Sequence, residues 1–274
     1  MSDSMSPKSK VQSPKSEGNR LDSRLRGSFQ FADIGLSTLD FGLAVTDVRK
    51  AFLSPSGERI EVLTGISFSA RAGETIAIVG ASGAGKSTLL HLIGGIEVPD
   101  HGNIRLGEFA IEKANRVELA HYRSRRVGFV FQFHHLLSDL TAAENVGLSL
   151  TIARHGARKA MRLALEALDR CGLAARASHR VTDLSGGEQQ RVAVCRALIT
   201  QPVLVLADEP TGNLDANSGN RLADDLFSYA ATRPAIVVIA THNQNLAQRC
   251  DRVLALERGK IAENGSSSFA LQRH

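Results

Sequence analysis

No run of apolar residues in the 274-residue chain approaches the roughly 18–20 needed to cross a bilayer. Any work at a membrane therefore requires a partner that supplies the spans. The N-terminus carries no apolar stretch of the kind a secretory leader needs, and the expectation is a cytosolic chain. Cysteine is scarce. Cys171, Cys195 and Cys250 form an odd set without CxxC spacing, which argues against a disulfide framework and against zinc, and favours small buried fillers. Internal repeats and long coiled coils are missing too. The hydrophobic share of 43% and charged share of 22% are those of an ordinary globular protein. Lys and Arg exceed Asp and Glu by only 33 to 28, a net charge of +5. That excess fits plain solubility at least as well as an acidic partner.

What is present divides by composition. Residues 1–28 are rich in Ser, Lys and Pro and have no apolar periodicity, so they are expected to be a disordered tail. Residues 29–42 fit neither helix nor strand cleanly and form an extension of uncertain kind. An α/β pattern fills 43–265. "LAVTDVRKAF" and "RIEVLTGISFSA" alternate as strands do, and "ETIAIVG" is a buried strand entering a loop. "KSTLLHLIGG" reads as a helix closed by glycines. "TAAENVGLSLTIARHG" opens with a capping box, and "ARKAMRLALEALDRCG" has helical spacing with a Gly stop. "PVLVLADEP", "AIVVIATH" and "RVLALERGKIAE" are three further strand candidates. The reading is a sheet-and-helix core with a helical subdomain inserted at about 133–190.

"GASGAGKST", Gly80 to Thr88, carries the first chemistry. Gly80, Ala81, Ser82, Gly83, Ala84 and Gly85 let the backbone curl with its N–H groups inward, and the helix that follows adds its positive dipole end. Lys86 reaches for β- and γ-phosphates, and the Ser87 hydroxyl, beside Thr88, is a Mg²⁺ ligand. "VLVLADEP" delivers Asp208 and Glu209 to a strand's C-terminal edge, where open α/β sheets bind their ligands. Asp208 suits Mg²⁺, and Glu209 suits the polarising of an attacking water. "LSGGEQQ", Leu184 to Gln190, opens a helix with Ser185, Gly186 and Gly187 and makes a second anion site. A chain that already has one phosphate site has use for a second if it completes the site of another copy.

With these motifs in this order the chain resembles the ATP-binding-cassette (ABC) ATPases over about residues 43–262. The resemblance implies an α/β P-loop NTPase fold with a mixed-sheet core, an antiparallel β subdomain and an inserted helical subdomain. It implies Mg²⁺-dependent ATP hydrolysis and a head-to-tail homodimer with ATP between P-loop and signature. Site roles follow from it. Ser185 and Gly187 would face the γ-phosphate across the dimer, and Asp215 of "GNLD" would connect the two sites. Glu209 would be the general base and His242 of "ATHNQ" would contact the γ-phosphate. Gln132 would sense γ-phosphate and Mg²⁺, and Phe52 would stack on adenine. The family usually follows the histidine with Asp, and here Asn243 stands.

"FQFHHLLSDLTAAENV" admits three readings by its residues: a metal site, a catalytic histidine pair, or a surface that meets another protein. Adjacent side chains diverge on helix or strand, and no third ligand lies nearby in sequence, against zinc. In the resemblance, the segment after Gln132 receives a membrane subunit, so Phe133, His134, His135, Leu136 and Leu137 are expected to dock integral membrane partners. Together with "LLHLIGGIEVPDHG" and "LVLADEPTGNLD", this wording closely resembles the LolD family, ATPases of Gram-negative lipoprotein-releasing systems. That implies a peripheral protein on the cytoplasmic face of the inner membrane. A macrolide-exporter-like or cell-division ABC ATPase is the alternative. A nucleic-acid ABC ATPase is disfavoured by the single cassette and short helical insert, and no nucleic acid is expected as a partner.

Overall fold

The computed structural model describes residues 42–263. The expected tail, all of the extension but Gly42, and the last two residues of the expected 43–265 domain lie outside the described residues. β1 (Leu43–Leu53) and β2 (Arg59–Ala70) pair antiparallel. Alternation on β1 turns Leu43 and Val45 inward, and a bulge at Asp47, with φ of 45°, rephases the strand so that Val48 is also buried. β3 (Thr75–Val79) follows, then α1 (Lys86–Ile93), β4 (His101–Leu106) and the two-residue β5 (Phe109–Ala110). α2 (Arg116–Arg126) is capped by Asn115 and Glu118 and leads into β6 (Val127–Val130). Three helices come next: α3 (Ala142–Ile152), α4 (Ala157–Arg170) and α5 (Gly186–Leu198). The chain then alternates through β7 (Leu204–Asp208), α6 (Ala216–Thr232), β8 (Ile236–Ala240) and α7 (Gln244–Ala247), and ends on β9 (Arg252–Glu257) and β10 (Lys260–Glu263).

Two sheets result. One is four-stranded and antiparallel, in the order β2-β1-β4-β5; the other is six-stranded, in the order β10-β9-β3-β8-β7-β6. The second is parallel from β9 to β6, with β10 antiparallel at its edge. Its central strands are continuous apolar runs because both faces are covered. Ile76, Ile78, Leu204, Leu206, Ile236 and Val238 face α1 and the antiparallel sheet. The alternate residues Ala77, Val205, Ala207, Val237 and Ile239 pack with Leu222 and Leu226 of α6. A third core, with Val146, Leu150, Ala164, Leu168 and Val192, belongs to the helical segment. There α3 and α4 approach closely: a Cβ at Gly147 would lie 3.6 Å from the Ala160 carbonyl. Capping boxes at Thr141–Glu144 and Ser185–Glu188 start α3 and α5. Each cap is worth about 1 kcal/mol. A fully buried Val or Leu is worth about 1.5–3 kcal/mol, so packing holds this segment and the caps set where its helices begin.

One expected element divides. "RVLALERGKIAE" reads as a single strand, but Arg258 and Gly259 both take positive φ (48° and 72°) and fold it into the β9–β10 hairpin. A two-residue turn of this kind matches the twist of the flanking strands. No helix among the described residues is long and apolar enough to cross a membrane.

Candidate functional site

At the C-terminal ends of β3 and β7 lies an open cleft of about 510 Å³. One wall is the loop between β3 and α1. Gly83 and Gly85 take φ of 78° and 99°, and at Gly83 nothing stands within 4 Å of where a Cβ would be, so the concave side is open. At Gly80 a Cβ would sit 2.3 Å from the Leu256 carbonyl, so the loop's departure from β3 requires glycine. Leu89 N–H donates to Gly85 O at 2.9 Å, which by the i→i−4 rule leaves the N–H groups of Lys86, Ser87 and Thr88 at the helix mouth. Lys86 is buried, and its ammonium donates to the carbonyls of Gly80 (2.8 Å) and Ala81 (3.1 Å). A cradle of outward N–H groups, one buried ammonium and a helix N-terminus fits the phosphates of a nucleotide.

The facing wall comes from β7 and β8. Asp208 ends β7, and Glu209 follows with φ of 43°. A non-glycine residue in that region costs about 1–3 kcal/mol, and several bonds hold it there. Its N–H donates to Ala240 O at 2.8 Å, and its carbonyl accepts from Gly212 N–H at 3.0 Å. Its carboxylate takes three donors: Oε2 accepts the Thr241 hydroxyl (3.0 Å), and Oε1 accepts the His242 backbone N–H (2.9 Å) and its ring Nδ1–H (2.8 Å). Since a carboxylate only accepts, Nδ1 carries the proton in this arrangement. Glu209 is thus fixed at the cleft floor while the His242 ring stands mostly exposed at its rim. Asn243 caps α7 by accepting Leu246 N–H, so its short amide does at this position what a carboxylate would do. Ser87, Asp208 and Gln132 line the same cleft. Their hydroxyl, carboxylate and amide oxygens are the hard donors that Mg²⁺ takes.

Phe52 stands at the mouth of the cleft, 39% exposed and outside the apolar core, with Lys50 Nζ 5.3 Å from its ring centroid. Ser185, Gly186, Gly187 and Asp215 are not among the residues lining the cleft. Ser185 is exposed at the start of α5, where its hydroxyl donates to Glu188 Oε2 at 2.8 Å and accepts Glu188 N–H. Those bonds hold the Glu188 carboxyl below its ordinary pKa, the Ser185 N–H contributing most. Asp215 caps α6 by accepting N–H from Asn217 and Ser218, and its carboxyl is lowered by Ser218 above all. Half of the expected site is therefore assembled within one chain, and the signature presents an open helix mouth elsewhere.

Beyond β6 the chain runs through Phe131 and Gln132 into the histidine segment. Phe133 and Leu137 are 70% and 49% exposed, and His135 is exposed. Leu136 packs into the helical core, and Phe131 stacks on Phe129 with ring centroids 5.2 Å apart. The exposed large apolar side chains of the segment are therefore Phe133 and Leu137. Burial pushes the His134 imidazole down from its ordinary pKa. Two residues that the motifs do not mark shape this segment. The Arg196 guanidinium donates to the carbonyls of His134 (2.7 Å) and His135 (2.6 Å). Asn145, fully buried, accepts Leu137 N–H at 2.8 Å and donates to the carbonyls of Leu137, Leu140 and Thr141. Nothing in their spacing announces these roles. A polar Asn among the apolar positions of α3 is the only signal.

Comparison with known proteins places this geometry. The ABC transporter family model matches residues 63–212. The lipoprotein-releasing system ATP-binding protein LolD of Geobacter metallireducens is 46% identical over 80% of this chain and 97% of its own. That of Paramagnetospirillum magneticum is 46% identical over 81% and 98%, and that of Legionella pneumophila (strain Paris) 45% over 74% and 89%. Among solved structures, the dimeric ATP-binding cassette MJ0796 in a post-hydrolysis state bound to ADP and Pi superposes with a TM-score of 0.76 at 34% identity. It covers 81% of this chain and 97% of that one.

Proposed function

The chain belongs to the LolD family of ABC transporter ATPases, and from that membership we propose how its residues power the release of lipoproteins from the inner membrane. The observation that carries the reading is the convergence of Lys86, Ser87, Asp208, Glu209 and His242 on one cleft. The P-loop N–H groups and Lys86 hold the β- and γ-phosphates, which draws the ammonium from the carbonyls of Gly80 and Ala81 that it otherwise contacts. Phe52 offers its exposed face to adenine. Ser87, Asp208 and Gln132 would hold Mg²⁺, which when bound would supply positive charge against the terminal phosphates. Glu209 accepts the proton of the attacking water as its oxygen bonds the γ-phosphorus and the bond to ADP breaks. His242 both orients that carboxylate and reaches the γ-phosphate. Ser185, Gly186 and Gly187 of a second copy close the site over the γ-phosphate, with Asp215 between the two sites. The ATPase domain spans 43–265, with the helical subdomain at about 133–190. A macrolide-exporter or cell-division role is not favoured, since the relatives at 45–46% identity are lipoprotein-releasing subunits.

Phe133, His135 and Leu137, backed by His134 and Leu136, present the surface for integral membrane subunits, which places the protein peripherally on the cytoplasmic face. Truncating a central anchor of such a contact costs about 2 kcal/mol or more, roughly thirtyfold in affinity. Leu137→Ala or His135→Glu is expected to leave ATP binding by the isolated subunit unchanged, to weaken copurification with the membrane subunits and to stop lipoprotein release from inner-membrane vesicles. Unimpaired release by both variants, or lost ATP binding by the isolated subunit, would overturn the docking assignment. Continued release by Glu209→Gln would overturn the catalytic one.

A further inference from the structure

Neither the nucleotide cleft nor the docking surface uses a cysteine, yet two of the three thiols meet. Cys171 caps the C-terminus of α4, and Cys195 lies on α5, 24 residues further on. Their sulfurs are 2.8 Å apart, with the Cys195 S–H directed at the Cys171 sulfur. The surroundings of the two differ. Cys195 is buried in the helical core, whereas Cys171 is only partly buried at its edge. The hydrogen bond from Cys195 lowers the Cys171 pKa and raises that of Cys195, and burial raises Cys195 further. Burial and Asp225 oppose the Cys171 thiolate, and Arg191 and Arg170 favour it. Cys250 is set apart from both, and burial pushes its thiol up to about 12. Reactivity toward oxidants follows thiolate character and access, and of the three thiols Cys171 is the least buried and has its pKa lowered.

We propose that Cys171 and Cys195 form a peroxide-reactive dithiol site, with Cys171 as the attacking thiolate and Cys195 as the resolving thiol. The Cys171 thiolate attacks one oxygen of hydrogen peroxide. The S–O bond forms, the O–O bond breaks, and the departing hydroxide takes a proton and leaves as water. Cys171 is then a sulfenic acid. The Cys195 sulfur attacks the Cys171 sulfur; the S–S bond forms, the S–O bond breaks, and the leaving hydroxide takes the Cys195 proton as a second water. Two thiols lose two electrons and one peroxide becomes two waters. The product ties the end of α4 to α5 one residue before Arg196, the side chain that holds the His134 and His135 carbonyls.

The test uses the full chain treated with hydrogen peroxide, then alkylated under denaturing conditions and mapped by peptide mass spectrometry. A Cys171–Cys195 crosslinked peptide is expected, reversible by dithiothreitol, with Cys171 lost about tenfold or more faster than Cys250. In Cys195→Ser the sulfenic acid at Cys171 persists and is trapped by dimedone; Cys195→Ala serves the same purpose if a buried serine hydroxyl prevents folding. Cys171→Ser removes the fast phase. The proposal is overturned if Cys250 reacts as fast as Cys171, if the fast phase survives Cys171→Ser, or if the folded wild-type chain gives no crosslink.

Discussion

Thr241 is fully buried, and its hydroxyl has two partners: it donates to Glu209 Oε2 and accepts the Asn243 N–H. That places a single oxygen between the cap of α7 and the carboxylate proposed to activate water. A hydrogen bond to a charged group is worth about 1.5–3 kcal/mol, enough to hold Glu209 in one orientation. Thr241→Val keeps the shape and removes the donor. It is expected to lower kcat roughly tenfold with KM for ATP little changed, and Thr241→Ser is expected to restore the rate. Phosphate release measured across ATP concentrations separates this positioning role from a structural one, which would move both constants or neither. Glu209 itself was legible in "LADEP", because one strand end supplies its neighbours in sequence. Thr241 was hidden because its partner lies 32 positions away. The sulfur pair and the Arg196 contacts were hidden for the same reason: they exist only after α5 packs against its neighbours.

Among the elements, α3 carries its own support for the proposed docking segment. Asn145 satisfies both the N–H and the C=O of Leu137, so that loop is fastened by one amide inside an otherwise apolar core. Asn145→Leu leaves the Leu137 N–H without this acceptor, at about 1–3 kcal/mol if it stays dry, while the Leu137 carbonyl keeps the Leu140 N–H at 3.2 Å. Urea unfolding should show a loss of that order, and hydrogen exchange around 136–141 should quicken while the P-loop stays protected. The capping boxes give the same segment an acid limit. Glu144 and Glu188 have carboxyls depressed below their ordinary 4.5, chiefly by the N–H groups of Thr141 and Ser185. A depressed carboxyl contributes stability above its unfolded pKa and loses it as pH falls through the folded one. The melting temperature is therefore expected to hold above about pH 5 and to fall below it, with a shallower fall in the double variant Glu144→Gln, Glu188→Gln. Both boxes are visible as Thr-x-x-Glu and Ser-x-x-Glu in the sequence, because the cap is local. The division of the last expected strand was not, since positive φ at Arg258 gives no warning in composition.

At the scale of the whole molecule, the signature does not line the cleft of its own chain, and activity is expected to require two copies. Glu209→Gln, expected to bind ATP without consuming it, should double its mass by light scattering when ATP and Mg²⁺ are added and revert on their removal. A monomer at high protein and ATP concentration would count against the sandwich. The strands, the helices and the order of motifs were legible in the chain because each rests on a continuous run, and the two-sheet fold followed from the family resemblance; the spatial relation between the signature and the segment after Gln132 was not legible. That relation passes through α5. Its 13 residues span about 20 Å. Ser185 lies at one end, the Arg196 clasp on the docking segment near the other, and between them the buried Gln190 donates to the Pro210 carbonyl next to Glu209. By the helical rise, Gln190 stands about 7.5 Å from Ser185 and about 9 Å from Arg196. One helix thus touches the segment after Gln132, the neighbour of Glu209 and the signature. A load on residues 133–137 is therefore expected to reach Ser185 through a single rigid element, without touching the cleft.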